Sequence, residues 1–471
     1  MKISTFFLST ILLSVSVGGN AQQHTSLKNA FKTHISMLRT LPVESTDLLG
    51  LTENRGTAIW KPLHETMFLP DGDSWIYGAD YTYVYDKKGN VLENSMTDGE
   101  STLKRTNTYD ENGQITLQID EESEDGKEFT YSAKRLQEYD KVVKNFVTKH
   151  EVYLWDSDAQ SWTPGSNFYK TEITRDSKNR VVEVVTYDWD EQSYFPNVKN
   201  VIVYDEEANK PKEFVKYVNQ FPGSQSPTWA IALKMKDMVW KTTDNQLVGD
   251  INTWYEGNNL VAKATVYTVG EDGQDKEEGI YNVTYDDKGG FMVTVESVDK
   301  TYKGLVEKKY TDENGSYELV NKEYQEQNGD GQLTEEEVSS YLKQVQTFDS
   351  HRNITGQAQY DALDENGQEV MTYGTKFENK YDSEHDALVE VVTLDYDTDL
   401  ADYVPTMKVV SDQFVDVTNT DGISHPVVTQ KISEKAIYNA QGVFVGSDLN
   451  KLPQGLYFVK EGQKTAKIIK R

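Results

Sequence analysis

The chain has no cysteine, 7 histidines, 11 prolines and only 48 basic residues against 77 acidic ones in a length of 471. Without cysteine there are no disulfides and no thiol nucleophile, so stability must come from burial, hydrogen bonding or bound metal. A lipid anchor on an N-terminal cysteine is excluded for the same reason. The shortage of base gives a formal charge of −29, which repels nucleic acid and anionic lipid headgroups. Beyond the first twenty or so residues no apolar run is long enough to cross a bilayer as a helix, so no transmembrane segment is expected. The histidines, at 24, 34, 64, 150, 351, 385 and 425, form no His-Glu-x-x-His pair and no close cluster. No Gly-x-Ser-x-Gly elbow and no phosphate-binding loop occurs, and no carboxylate pair stands out among the acidic residues. These absences make an enzyme the weaker reading and single out no catalytic residue.

What is present begins with a leader. Lys2 supplies a basic start, Phe6 to Val17 an apolar stretch, and Gly19-Asn20-Ala21 the small residues of a cleavage site before Gln22. Residues 1–21 therefore read as a secretory signal, and its removal takes away Lys2 and leaves a charge of −30. Residues 22–70 follow as an N-terminal segment in which Leu27 to Leu41 suits a short helix.

The region 71–409 is repetitive. Trp155-Asp156-x-Asp158 with Trp162 and Pro164, Tyr187-Asp188-x-Asp190 with Tyr194 and Pro196, and Tyr396-Asp397-x-Asp399 with Tyr403 and Pro405 share one spacing. A tighter unit alternates with them, as in Tyr85-Asp86-x-x-Gly89, Tyr109-Asp110-x-x-Gly113 and Tyr285-Asp286-x-x-Gly289. Variants are Thr311-Asp312-x-x-Gly315, Leu363-Asp364-x-x-Gly367 and Arg175-Asp176-x-x-Asn179. Aspartate accepts a hydrogen bond from an amide two residues on, and glycine or asparagine takes the left-handed conformation, which together close a hairpin. The flanking residues alternate as strands do: Ile115, Leu117 and Ile119 share one face. The expectation is an all-β, extended antiparallel meander with tight turns on one edge and wide loops on the other. Tyr187 and Tyr194 would stand opposite each other across their loop, with Asp188 shaping it. The six wide-loop aromatics, Trp155, Trp162, Tyr187, Tyr194, Tyr396 and Tyr403, are the candidate binding residues if they face solvent, and cross-strand braces if they do not.

One insertion, 326–345, has a different character. Glu326, Asn328 and Asp330, then Gly331, the carbonyl of Gln332 and Glu337 stand at the spacing of a calcium loop. Thr334 and Glu337 make a capping box, and Val338, Leu342 and Val345 would share one face of a following helix. The alternative is an acidic loop with a glycine turn and no metal.

The tail, 410–471, reads as a small β-domain of three short strands with Gly442 and Gly455 at its turns. Ile437-Tyr438 with Gly442, Leu452-Pro453-x-Gly455-Leu456-Tyr457-Phe458-Val459 and a basic end holding Lys464, Lys467, Lys470 and Arg471 resemble the sorting domain of type IX secretion cargo in Bacteroidetes. The Pro-Asn-Pro-type opening of that family is missing here. The repeats resemble the aromatic-Asp repeats of secreted proteins of the same bacteria and, less closely, YD repeats. The resemblance implies delivery to the surface or medium, with the secretion machinery as a partner of the tail, and no activity.

The resulting expectation is an exported β-repeat protein that binds a glycan or a host or surface protein. Rivals are an extracellular polysaccharide hydrolase and a structural matrix component. For the 326–337 loop the metal reading makes a definite prediction. Calcium raises the melting temperature, and Glu337→Ala abolishes the rise; an unchanged wild-type melting temperature ends that reading.

Overall fold

The computed structural model describes residues 60–249, 254, 257–270, 273–325, 338–364, 367–417, 436–439, 444–446, 451–461 and 464–470. The leader, the expected helix at 27–41, the loop 326–337 and Gly442 lie outside these residues. The strands are β1 (Trp60–Asp71), β2 (Ser74–Tyr85), β3 (Val91–Thr97), β4 (Thr102–Tyr109), β5 (Ile115–Ser123), β6 (Thr130–Tyr139) and β7 (Val147–Asp156). Next come β8 (Ser161–Pro164), β9 (Tyr169–Arg175), β10 (Val181–Trp189), β11 (Tyr194–Asp205), β12 (Lys210–Asn219), β13 (Trp229–Thr242) and β14 (Leu260–Val269). They continue as β15 (Asp275–Tyr285), β16 (Phe291–Ser297), β17 (Tyr302–Tyr310), β18 (Tyr317–Gln325), β19 (Val338–Phe348) and β20 (Ile354–Leu363). The large sheet ends with β21 (Glu369–Tyr381), β22 (Leu388–Asp397) and β23 (Asp402–Asp416). A separate small sheet holds β24 (Ala436–Asn439), β25 (Phe444–Gly446), β26 (Gly455–Glu461) and β27 (Lys464–Lys470).

In the large sheet each strand pairs antiparallel with its chain neighbour, as the turn spacing requires, except that β8 and β9 do not pair with each other. The sheet is nevertheless no open meander. β1 pairs with β2 on one side and with β23 on the other, from Trp60 opposite Asp416 to Phe68 opposite Lys408. β8 and β9 share one edge of β7 in succession, so the 23 strands fill 22 positions of a closed antiparallel barrel. Closure removes both sheet edges, which in a meander would expose unpaired amides and carbonyls. It also draws residues 60–70 and 410–416 into the sheet, so the barrel outruns 71–409 at both ends.

The predicted helix after Thr334 does not form over 338–345. That segment is β19, hydrogen-bonded to β18 and β20, with Leu342 sealed on one face and Val345 on the other. A helix there would leave the edges of both neighbours unpaired and open the barrel. The tail sheet has four strands, ordered β25-β24-β26-β27, where three were expected.

The tight turns work as the sequence suggests. The Oδ1 of Asp86, Asp110, Asp176, Asp286 and Asp312 each accepts backbone N–H groups two and four residues on. Gly89 and Gly113 take φ of 79°, and Asn179 takes 62°, completing the turn. The tyrosine before the aspartate has a second task. Tyr109, Tyr139, Tyr204 and Tyr285 donate their hydroxyls to the carbonyls of Val91, Ile115, Val181 and Val261, where the strand after an earlier turn begins. Each hairpin is thereby latched to the one before it.

The two faces of the barrel differ. One carries a core of residues from β10 to β18, among them Val181, Phe214, Met235, Val261, Val293 and Val306. Leu247, Val248 and Trp254, from the long connection between β13 and β14, belong to the same core, and Trp254 meets Phe214 edge to face at 4.6 Å. In a one-layer sheet such sealing needs the concave side, so this face is the inside, and Leu247, Val248 and Trp254 help to fill it. The inside over β4–β6 is polar instead: Arg105 grips Asp120 with two nitrogens at 2.7 and 3.0 Å, and Arg135 adds a third bond at 2.6 Å. Burial alone would raise the Asp120 pKa, but the two guanidiniums outweigh it and lower it. The outside carries lysines laid over tyrosines directly across from them, at Lys134–Tyr153, Lys170–Tyr187, Lys199–Tyr217, Lys303–Tyr324, Lys322–Tyr341 and Lys343–Tyr360. Each such pair contributes about 0.5–1 kcal/mol.

The closing seam is held by ionisable groups on both faces. His64 on β1 bonds Asp412 of β23 through Nδ1 at 2.5 Å and approaches Asp80 of β2 through Nε2 at 3.4 Å. On the other face Glu65 accepts from Tyr83 at 2.7 Å and Ser411 at 2.8 Å. Burial disfavours the His64 imidazolium, yet Asp412 and Asp80 outweigh it and raise its pKa to about 9. A raised folded-state pKa means stability that is complete below about pH 6.5 and drains as pH rises through about 9. Melting temperature measured from pH 6 to pH 10 should fall across that window, by up to roughly 3 kcal/mol in stability. His64→Gln flattens the profile. In a second test, Tyr285→Phe removes one latch and lowers stability by about 1 kcal/mol in urea unfolding.

Candidate ligand-binding face

Because the chain runs up and down, its connections sort onto two rims. The Asp-x-x-Gly turns lie mainly on one rim, and the wide loops at 157–160, 190–193 and 398–401 lie on the other. The turn of Asp364 to Gly367 is an exception, since it joins β20 to β21 on the wide-loop rim.

Exposed apolar groups are not shared evenly between the rims. Among the described residues, nine of the twelve exposed large hydrophobic side chains, Leu69, Ile76, Tyr131, Leu154, Phe221, Val298, Val370, Tyr373 and Leu400, sit toward the wide-loop rim. Leu400 is 66% and Phe221 62% exposed, far beyond what a braced strand residue shows. Charge is sorted too. The wide-rim connections carry two cations, Lys127 and Lys300, whereas the other rim carries Lys87, Lys88, Lys141, Lys144, Lys178, Arg180, Lys288 and Arg352. The wide rim is thus acidic and apolar at once.

On the outside, next to this rim, β6 to β11 build a continuous aromatic array. Trp155 pairs directly with Trp162, their rings 5.1 Å apart, and Tyr131 meets both at 5.2 and 5.3 Å. Lys134 spans from Trp162, at 4.9 Å, to Tyr153, at 4.6 Å. Tyr153 touches Phe168 at 5.2 Å, Phe168 stacks on Trp189 at 4.9 Å, and Trp189 meets Tyr194 at 5.0 Å. The Tyr194 and Tyr153 hydroxyls both donate to Glu151, which Lys149 also holds at 3.0 Å. Burial would raise the Glu151 pKa, but the Lys149 ammonium and these hydroxyls lower it, so the carboxylate stays charged among the rings.

Of the six predicted aromatics, Trp155, Trp162 and Tyr194 come together here. Tyr187 does not face Tyr194. This hairpin turns one residue later than the other two copies do, which moves its register by two, so Tyr187 lies opposite Pro196 and Trp189 opposite Tyr194. Tyr187 instead donates to Glu172 at 2.7 Å, and burial and that carboxylate push its pKa up to about 12. The same extension of the ladder places Asp188 in the strand, opposite Phe195, and not in the turn. Asp190 accepts the loop amides of Gln192 and Ser193, while Asp188 turns to Asn197 and burial raises its pKa. Asp156 and Asp397 do shape their loops as expected. Tyr396 and Tyr403 pair at 5.4 Å on β22 and β23, with Lys376 3.8 Å above the Tyr403 ring. A methyl group at Gly374 would meet the Tyr403 hydroxyl at 2.7 Å, so glycine makes room for that ring.

Tyr131, Lys134, Tyr153, Phe168 and Trp189 were missed. Tyr153 lies two residues before Trp155, on the same strand face, and that spacing could have found it. The candidate metal residues Glu326, Asn328, Asp330, Gln332 and Glu337 fall outside the described residues. Among the described residues no group of three or more acidic or histidine side chains could hold a metal ion. In the tail, Gly455 begins β26, Tyr457 is buried with its hydroxyl on the Pro453 carbonyl, and Lys467 is exposed on β27.

No helix among the described residues is long and apolar enough to cross a membrane. Lys134, Lys170, Lys199, Lys303, Lys322 and Lys343 lie within the strands, on the face opposite the core.

No protein-family model matches the sequence, and no curated protein matches it. Among solved structures, a TcdB2–TccC3 complex covers 88% of this chain at 8% identity and a TM-score of 0.27, and the chain spans 23% of that protein. A porin-like protein from Bacteroides uniformis covers 75% at 9% identity and a TM-score of 0.21, over 96% of its own length. A protein of unknown function from Bacteroides fragilis covers 46% at 9% identity and a TM-score of 0.12. These likenesses are too distant to carry the reading further.

The array makes a direct structural prediction. Tyr194→Phe deletes the hydroxyl bonded to Glu151 and lowers stability by about 1 kcal/mol, read by urea unfolding, with the barrel intact by circular dichroism.

Proposed function

We propose that this is an exported, surface or extracellular binding protein and that the wide-loop rim is its ligand face. The observation that carries the reading is the sorting of exposed apolar side chains onto one rim. Burial does not need Leu400 or Phe221 where they stand, and a large apolar group left in water on one side of a molecule marks a contact surface. The tight-turn rim, saturated with hydrogen bonds and mixed in charge, serves the scaffold. Export rests on the leader and on the likeness of the tail to type IX sorting domains. The ligand class at this level is a glycan or a host or surface protein.

The missing cysteines make the test clean. Ala159→Cys in a wide loop and Ser177→Cys in a tight turn each accept one polyethylene glycol maleimide. Against a glycan array and immobilised extracellular-matrix proteins, the unmodified protein is expected to bind. Modification at residue 159 blocks that binding, and modification at residue 177 does not. No ligand on either surface, together with hydrolysis of a polysaccharide panel, overturns the proposal in favour of an enzyme.

A further inference from the structure

We infer that the aromatic array across β6–β11 is a subsite for an uncharged oligosaccharide chain. This rests on the reading of the wide-loop rim as the ligand face and names what one sector of it takes.

Three observations lead there. The first is extent. The array crosses four strand spacings from β6 through β7, β9 and β10 to β11, roughly 19 Å at ~4.8 Å per spacing, which suits a chain of sugars and not a single one. The second is composition. Partly exposed rings packed around the buried Phe168 alternate with fixed polar groups, Lys134 between Trp162 and Tyr153 and Glu151 beside Tyr194. A pyranose has the matching character, with apolar C–H faces that lie on rings and equatorial hydroxyls that reach ammonium and carboxylate at the ring edges. A protein partner would want a continuous apolar centre with the charges at its margin, and these charges lie within the array. The third is the field. The nearest wide-rim connections, at 124–129, 157–160 and 190–193, hold six carboxylates and one cation, Lys127, so uronate and sulfate polymers are repelled. An uncharged glycan pays no such penalty.

Rigidity supports the assignment. Trp155 and Trp162 are a register pair of one hairpin, and Trp189 is held between Phe168 and Tyr194. Rings already fixed lose little entropy when a ligand settles on them.

The test is a titration of the full-length protein with hexasaccharides of β-1,4-glucan, β-1,3-glucan, β-1,4-mannan and α-1,4-glucan, and with polygalacturonate, read by tryptophan fluorescence and calorimetry. At least one uncharged hexasaccharide is expected to bind saturably, and polygalacturonate is not. Trp162→Ala should weaken that binding at least tenfold, with Trp162→Phe and Tyr403→Ala close to wild type. Retention in Trp162→Phe separates loss of the platform from loss of the fold. The inference is overturned if no uncharged hexasaccharide binds, if polygalacturonate binds better, or if Trp162→Ala leaves binding unchanged. Where none binds but modification at residue 159 still blocks capture of a matrix protein, the subsite is wrong and the rim reading stands. Where that modification blocks nothing either, both fall.

Discussion

The pairing of β1 with β23 is the constraint on which the rest depends. Antiparallel hairpins alone would give a ribbon of 23 strands with two open edges, and a sheet that wide curls or aggregates. Joining the strand that begins at Trp60 to the one that ends at Asp416 converts local turn chemistry into a closed body with an inside, an outside and two rims. The seam is also the place where charge is buried, with His64 between Asp412 and Asp80 on one face and Glu65 between Tyr83 and Ser411 on the other. Closure is thus held by polar pairs on both faces of the seam.

Closure divides the work of the molecule. Inside, Leu247, Val248 and Trp254 help to fill the apolar sector over β10–β18, and the opposite sector is filled by ion pairs such as Arg105–Asp120–Arg135. Outside, lysines lie over the tyrosines of the next strand and give the wall a polar surface without leaving the rings bare. The tight-turn rim latches hairpin to hairpin through tyrosine hydroxyls. What remains unsatisfied by the scaffold is the wide rim, and the surplus of exposed apolar and aromatic groups lies there.

Much of the scaffold was legible in the sequence because turns are local. The aspartate and the glycine three positions apart fix a hydrogen bond and a left-handed residue within one short segment, so Asp86, Asp110 and Asp286 could be read directly. The all-β class and the alternation of turn types follow from that. Closure was not legible, since nothing near Trp60 announces a partner some 350 residues away. The β19 helix was misread because Thr334-x-x-Glu337 is a local signal, while the strand is dictated by two neighbours that both need pairing. At the binding face, the motif found Trp155, Trp162 and Tyr194 but mispaired Tyr187, because this hairpin turns one residue later than the other copies and repeat spacing does not show it. The array's other members, Tyr131 on β6, Trp189 on β10 and Phe168 just before β9, are brought together only by the fold.

The central claim is that the chain closes on itself, and the absence of native cysteine allows it to be measured directly. Met67 on β1 stands opposite Val409 on β23, and replacing both with cysteine places two thiols across the seam. The account predicts near-complete intramolecular disulfide formation under mild oxidation, with a raised melting temperature. Two free thiols that both react with maleimide after oxidation would contradict it, and the molecule would be an open sheet.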